Sequence, residues 1–183
     1  MTNMNLRKIV TVIVASFSLC IMLSMSCGVS TAKAAANDKI VKITKKEKVK
    51  KYSEKDLRYM STIIYCEARG ESYAGQKAVG IVVMNRVRSK KFPNSIKKVI
   101  YQSGQFSPVS NGSLNKAYEV YDKQKKKNKF TGEMKSCRKA AISVLEGSTT
   151  IKVNGKKKEM KKYLFFSQYV QGAKFQLGVH QFK

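Results

Sequence analysis

The sequence predicts an α+β fold, mostly helical with one small β-hairpin element. Three observations carry that expectation. Apolar residues recur at helical spacing in several separate segments between Ser53 and Leu145. One of these segments, Gln76 to Val87, is apolar on nearly every side, as a buried helix is. Strand signals are confined to the last third, where Asn154-Gly155 marks a hairpin turn and Tyr163-Leu164-Phe165-Phe166 forms an apolar run.

In chain order, Arg7 and Lys8 precede an uncharged apolar run from Ile9 to Val29. Two small-residue cleavage sites follow, Ala32-Lys33-Ala34 and Ala34-Ala35-Ala36. Residues 1–36 therefore read as a signal peptide, and the mature chain is expected outside the cytoplasm. The run is also long enough for an uncleaved anchor, the one case in which the membrane becomes a partner. Residues 37–52 are Lys-rich and too poor in apolar residues to fold alone, so they read as a basic linker. A single catalytic-sized domain is expected over 53–183.

The first helix runs from Ser53, its expected N-cap, with Asp56 placed for a capping box. Leu57, Met60, Ile64 and Ala68 form its apolar stripe and Gly70 supplies the stop signal. Glu67 falls on that same stripe, three residues after Ile64. A carboxyl group there is partly desolvated and near the negative end of the helix dipole. Both effects favour the neutral acid that a general acid requires. Glu71 lies beyond the helix and is the nearest second acid. The chain holds 11 acids against 37 bases, so two acids within five residues stand out.

The buried second helix carries Gly80 in its middle, a residue read as permitting close helix approach. Phe92-Pro93-Asn94 is a turn, and Asn94 or Ser95 caps a short helix through Tyr101. Residues 103–112 read as a polar loop suited to a groove wall. Helices follow over Leu114–Gln124 and Met134–Leu145, the latter with Cys137 on its apolar side. Once residues 1–36 are removed, Cys66 and Cys137 are the remaining cysteines. They are candidates for a bridge, although packing alone also explains Cys66. His180 is the only histidine, and a lone histidine is more often structural than catalytic. There is no phosphate loop and no metal-ligand cluster, so neither a cofactor nor a metal is expected.

The net charge of +26 requires an anionic partner. Removing residues 1–36 takes away Arg7, Lys8 and Lys33 and no acid, leaving 34 bases, 11 acids and +23. Export argues against nucleic acid and for an anionic wall polymer, met through the clusters at 45–51, 123–129 and 156–162.

The order of several pieces resembles a known family. Ile64-Tyr65-Cys66-Glu67-Ala68-Arg69-Gly70-Glu71, Gly75 to Gly80 with Met84-Asn85-Arg86-Val87, Phe92-Pro93-Asn94-Ser95-Ile96, Gly104-Gln105-Phe106-Ser107-Pro108 and Gly178-Val179-His180 resemble the bacterial cell-wall hydrolase family of spore cortex-lytic enzymes. The likeness runs from about Asp56 to Phe182. It implies a lysozyme-like fold that cuts peptidoglycan glycan strands between muramic acid and glucosamine. It also implies a lytic transglycosylase that leaves 1,6-anhydromuramic ends and acts in cortex lysis at germination or in wall remodelling. The family's catalytic glutamate falls on Glu67. Asn85, Gln105 and Ser107 are candidates to bond sugar groups, and Tyr101 and Phe106 to stack on sugar faces. The chain departs from the family in having Cys66 before the glutamate, a Lys-heavy stretch from Ser148 to Lys162, and a short basic segment where a peptidoglycan-binding domain is expected. Two rivals remain. Within the enzyme class, Glu71 would join Glu67 in a two-carboxylate hydrolysis. Outside it, the chain would be a non-catalytic polycation that holds wall or membrane anions by charge alone.

Overall fold

The computed structural model describes residues 52–183; the expected signal peptide and the expected linker up to residue 51 lie outside the described residues. Tyr52, the last residue of the expected linker, packs half-buried against the core.

Helix α1 spans Glu54–Ala68 and opens on the capping box its sequence announces. The Asp56 amide donates to the Ser53 hydroxyl (3.0 Å) and the Ser53 amide to the Asp56 carboxylate (3.3 Å). Leu57, Met60, Ile64 and Ala68 are buried, as the stripe requires. Ser61 and Thr62 are buried beside them without loss, because their hydroxyls donate back to the Leu57 and Arg58 carbonyls.

Helix α2, Tyr73–Arg88, is the buried helix. Gly80 lets it cross α1 closely: a Cβ there would stand 2.8 Å from Ile64 Cδ1 and 3.3 Å from Val144 Cγ2. Ser95 caps the short α3, Ile96–Ile100. The stretch 103–112 is not all loop, since Ser107–Ser110 closes one helical turn, α4. Pro108 sits in its first turn, where the missing amide hydrogen has no partner to lose. A proline that reads as loop punctuation in the sequence thus starts a helix here.

Helix α5, Ser113–Lys126, continues two residues into the basic run. Cations in a last turn face the negative helix end, which favours that extension. Arg58 donates to both Asp122 carboxylate oxygens through Nε and Nη2 (2.8 and 2.7 Å), tying α1 to α5. Helix α6, Gly132–Leu145, packs against α1 and α2.

Strands β1 (Thr150–Val153) and β2 (Lys156–Glu159) form the expected hairpin. Asn154 and Gly155 take φ of +48° and +77°, the left-handed pair that this turn needs. A second sheet has the order β3-β5-β4, with β3 Phe166–Ser167, β4 Phe175–Leu177 and β5 His180–Phe182, all neighbours antiparallel. The apolar run from Tyr163 reaches strand geometry only at Phe166. The Leu164 and Phe165 amides both donate to the Lys183 carbonyl (2.8 and 2.9 Å), which breaks the regular ladder before it.

Cys66 and Cys137 are unbridged thiols. Cys66 Sγ donates to the Ser113 carbonyl at 3.6 Å, and Cys137 is fully buried. Burial pushes the Cys66 thiol up to about 11 and the Cys137 thiol to about 12, so both stay neutral at physiological pH.

Candidate active site

Glu67 stands in the last turn of α1 and is half-buried. Burial raises its pKa above the ordinary carboxyl value, and the positive charge of Arg86 partly opposes the rise. No hydrogen bond to its carboxyl group exists among the described residues. It is therefore a partly desolvated acid with a free proton-bearing face.

Glu71 has a different setting. Its amide closes the helix end on the Ala68 carbonyl (3.0 Å), and its carbonyl accepts from the Gln76 side chain (3.2 Å). Its carboxylate lies against the β4–β5 turn at Gly178, where any Cβ would collide with it. Gly178 also has φ +59°, so a glycine answers both demands of that turn. The other face of Glu71 rests on Gly75, where a methyl group would stand 3.0 Å from the Glu71 Cβ. The Glu71 charge acts on His180, which is 5% exposed and has an unpartnered Nδ1. Burial lowers the His180 pKa and the Glu71 charge opposes that.

An aromatic row connects the two acids' basic neighbours. The Arg86 guanidinium lies 5.2 Å from the Phe106 ring, Phe106 is 6.2 Å from Phe166, and Phe166 meets His180 edge-on at 5.3 Å. Arg86 is itself 3% exposed, and its Nε donates to the Leu164 carbonyl at 2.8 Å.

The remaining candidates divide. Asn85 is buried, and its amide donates to the Met160 and Tyr163 carbonyls (2.8 and 2.9 Å), so its donors hold the chain after β2. Phe106 is 5% exposed and packed on Phe166. Its place under Arg86 nevertheless brings its neighbours Gln105 and Ser107, half-buried and exposed, to this region. Tyr101 is 44% exposed, and its hydroxyl meets that of Tyr118 at 3.4 Å. A cavity of about 340 Å³ lined by Tyr65, Cys66 and Arg69 opens against α5 on one side of the last turn of α1. A larger one of about 640 Å³ lies between the start of α2 and the β1–β2 hairpin, reaching Ser72 and Leu177.

Arg86 and His180 stand beside the two candidate acids, and the sequence reading gives neither a role. Arg86 carries a signal: a full charge inside a helix otherwise apolar on nearly every side has to meet a counter-charge or an aromatic cage. His180 carries only its being alone and its place in the Gly178-Val179-His180 piece that resembles the family.

The Cell Wall Hydrolase family profile matches residues 70–182. The match begins three residues after Glu67 and includes Glu71, Arg86, Phe106 and His180. A spore cortex-lytic enzyme of Bacillus cereus is 43% identical over 63 residues, which cover 34% of this chain and 24% of that protein. The chain thus spans about a quarter of the length of such curated relatives. Among solved structures, the catalytic domain of the Bacillus cereus SleB protein superposes with a TM-score of 0.51 at 25% identity, over 72% of this chain and 91% of that one. The catalytic domain of the germination-specific lytic transglycosylase SleB from Bacillus anthracis gives 0.49 at 25% identity, over 72% and 95%. The fold is lysozyme-like, mostly helical with small antiparallel sheets.

Proposed function

The chain belongs to the cell wall hydrolase family, and from that premise we propose that it cuts the glycan strand of peptidoglycan as a lytic transglycosylase with Glu67 as its one acid. The observation that carries this reading is the unequal setting of the two acids. Glu67 is desolvated and unbonded, while the Glu71 carboxylate is lodged at Gly178 beside His180.

One acid suffices for this reaction. Protonated Glu67 gives its proton to the oxygen between muramic acid and glucosamine, and the C1–O bond breaks. The muramic 6-hydroxyl oxygen bonds to C1, and the Glu67 carboxylate takes the hydroxyl proton. A 1,6-anhydro ring results, and Glu67 ends protonated, ready for the next cut. A retaining hydrolase would instead need a second carboxylate about 5–5.5 Å away, free to attack.

The chain works outside the cytoplasm, behind a signal segment over 1–36, in cortex lysis at germination or in wall remodelling. Its lysine clusters hold it on anionic wall polymers while it cuts. Digestion of purified peptidoglycan followed by mass spectrometry tests the chemistry. Anhydro products, one water lighter than hydrolytic ones, are expected, and Glu67→Gln should lower the rate by about 10²–10⁴-fold. Reducing ends would sink the transglycosylase reading and promote Glu71. Full activity in Glu67→Gln would remove the site itself.

A further inference from the structure

Arg86 has a full charge that the fold leaves incompletely partnered. It is 3% exposed, its Nε is held by the Leu164 carbonyl at 2.8 Å, and its Nη1 is buried with no hydrogen-bond partner. Three phenylalanine rings surround it, Phe92 and Phe106 at 5.2 Å and Phe165 at 5.6 Å. Rings stabilise a guanidinium through their negative faces but accept no strong hydrogen bond from it. A buried cationic donor left in that state is normally costly.

The elements bring this donor toward the acid. Helix α2 crosses α1 at Gly80 over Ile64, one turn before Glu67. Helix α4, whose N-cap Phe106 lies beside the guanidinium, packs against α1 as well. Glu67 has no hydrogen bond among the described residues, and the two charges already act on each other. In the resting site Arg86 and Glu67 form no ion pair within 4.0 Å, and Nη1 is left as a donor without an acceptor.

We propose that Arg86 is the positioning residue of the Glu67 acid: its buried, unpartnered Nη1 receives the carboxylate when the proton leaves, so the pair closes only in the charged state. An interaction made only after proton departure favours the transition state over the resting enzyme, which is the condition for a rate gain. It also limits how basic the carboxylate becomes before it takes the 6-hydroxyl proton. The other titratable groups nearby do not share the task. Cys66, adjacent to Glu67, remains a neutral thiol, Arg69 acts on that thiol, and His180 faces Glu71.

The inference rests on the reading of Glu67 as the acid, so two measurements separate the ideas. The first needs no activity. In the folded wild-type chain, the Arg86 guanidinium nitrogen signals are followed by NMR across the titration of the Glu67 carboxyl carbon. They are expected to move with the Glu67 midpoint and to stay flat in Glu67→Gln. Arg86 signals that ignore the Glu67 midpoint in wild type would overturn the proposal whatever the enzyme does. The second is the pH profile of kcat/KM, whose alkaline limb reports loss of the acid's proton. Arg86→Gln should lower the plateau about tenfold or more and move that limb upward by about one pH unit. Arg86→Lys should return the limb part of the way. A lowered plateau with an unmoved limb in folded Arg86→Gln would make Arg86 a packing residue and nothing more.

Discussion

Burial raises the Glu67 pKa in the folded chain, and the link from that shift to stability has a definite sign. In the unfolded chain the carboxyl titrates near the ordinary value of about 4.3. Below that pH both states are protonated and Glu67 weighs on neither. As pH rises through the raised folded pKa, the unfolded state has already ionised, so the folded state loses stability relative to it. At neutral pH the acid is therefore a net burden that Glu67→Gln removes. The variant should melt at a higher temperature than wild type at pH 7, with the gain fading below about pH 4, even as activity is lost. Melts followed by circular dichroism at several pH values check this; an equal gain at all pH values would mean packing, not charge. The half-burial of Glu67 is legible in the sequence because the helical wheel places its carboxyl on an apolar stripe. Its partners are not. Arg86 lies 19 residues on, in another helix, and His180 lies at the far end of the chain, so only tertiary packing brings either to an acid. Asn85 and Phe106 show what the sequence leaves out in the other direction. Both are residue types that bind sugars, and here both are consumed by the fold itself.

Among the elements, the crossing of α1 and α2 decides where the acid stands. Alanine in place of Gly80 gains about 1 kcal/mol of helix propensity. Its Cβ would stand 2.8 Å from Ile64 Cδ1 and 3.3 Å from Val144 Cγ2, and both neighbours are fully buried, so the Ile64 side chain would have to move within a packed core. Overpacking of that kind costs about 1–3 kcal/mol, so the net effect expected for Gly80→Ala is destabilisation by up to about 2 kcal/mol. Ile64→Val removes the Cδ1 atom that is in the way and alone costs about 0.5–1.5 kcal/mol. Combined, the two should be less harmful than their sum, because each relieves the other. Urea unfolding of the two single variants and the double variant measures the coupling, and strict additivity would refute the close-approach account of Gly80. The same element scale shows what local signals reach. The capping box at Ser53 and the Asn154-Gly155 turn are complete within a few residues, and both appear where the sequence puts them. Helix α4 and the shortened β3 escape, because one is a single turn begun by a proline and the other is cut by two amides sharing the Lys183 carbonyl. That carbonyl is separated from them by almost twenty residues of chain.

For the whole molecule, the fold class follows from periodicity, whereas the charge motivates the proposed docking on anionic wall polymer. Lysines from three separate stretches meet at one cavity of about 700 Å³, lined by Lys161, Lys162, Lys174, Lys183, Tyr163 and Glu159. Lys174 and Lys183 are fixed there by backbone pairing, through Lys174 N to the Phe182 carbonyl (2.9 Å) and Lys183 N to the Phe165 carbonyl (3.0 Å). The lone acid of the group, Glu159, is occupied by the Thr149 hydroxyl and the Met160 and Lys161 amides. The basic run at the end of α5 is different in kind, since its lysines are spread along an exposed helix terminus. Ammonium groups converging on a concavity raise the local potential more than the same number on a convex surface. Binding to purified walls that carry anionic polymer should therefore weaken steeply with salt, because the screening length falls from about 8 Å at physiological ionic strength to about 3 Å at 1 M. Replacing Lys161, Lys162, Lys174 and Lys183 by glutamine should lower the bound fraction more than replacing Lys123, Lys125, Lys126 and Lys127, though both sets remove the same charge. Sedimentation of the protein with walls across a salt series, beside walls stripped of their anionic polymer, reads these outcomes together. Equal losses from the two lysine sets would mean that total charge alone governs docking. Binding indifferent to salt would end the proposal that this basic chain docks on the wall by charge.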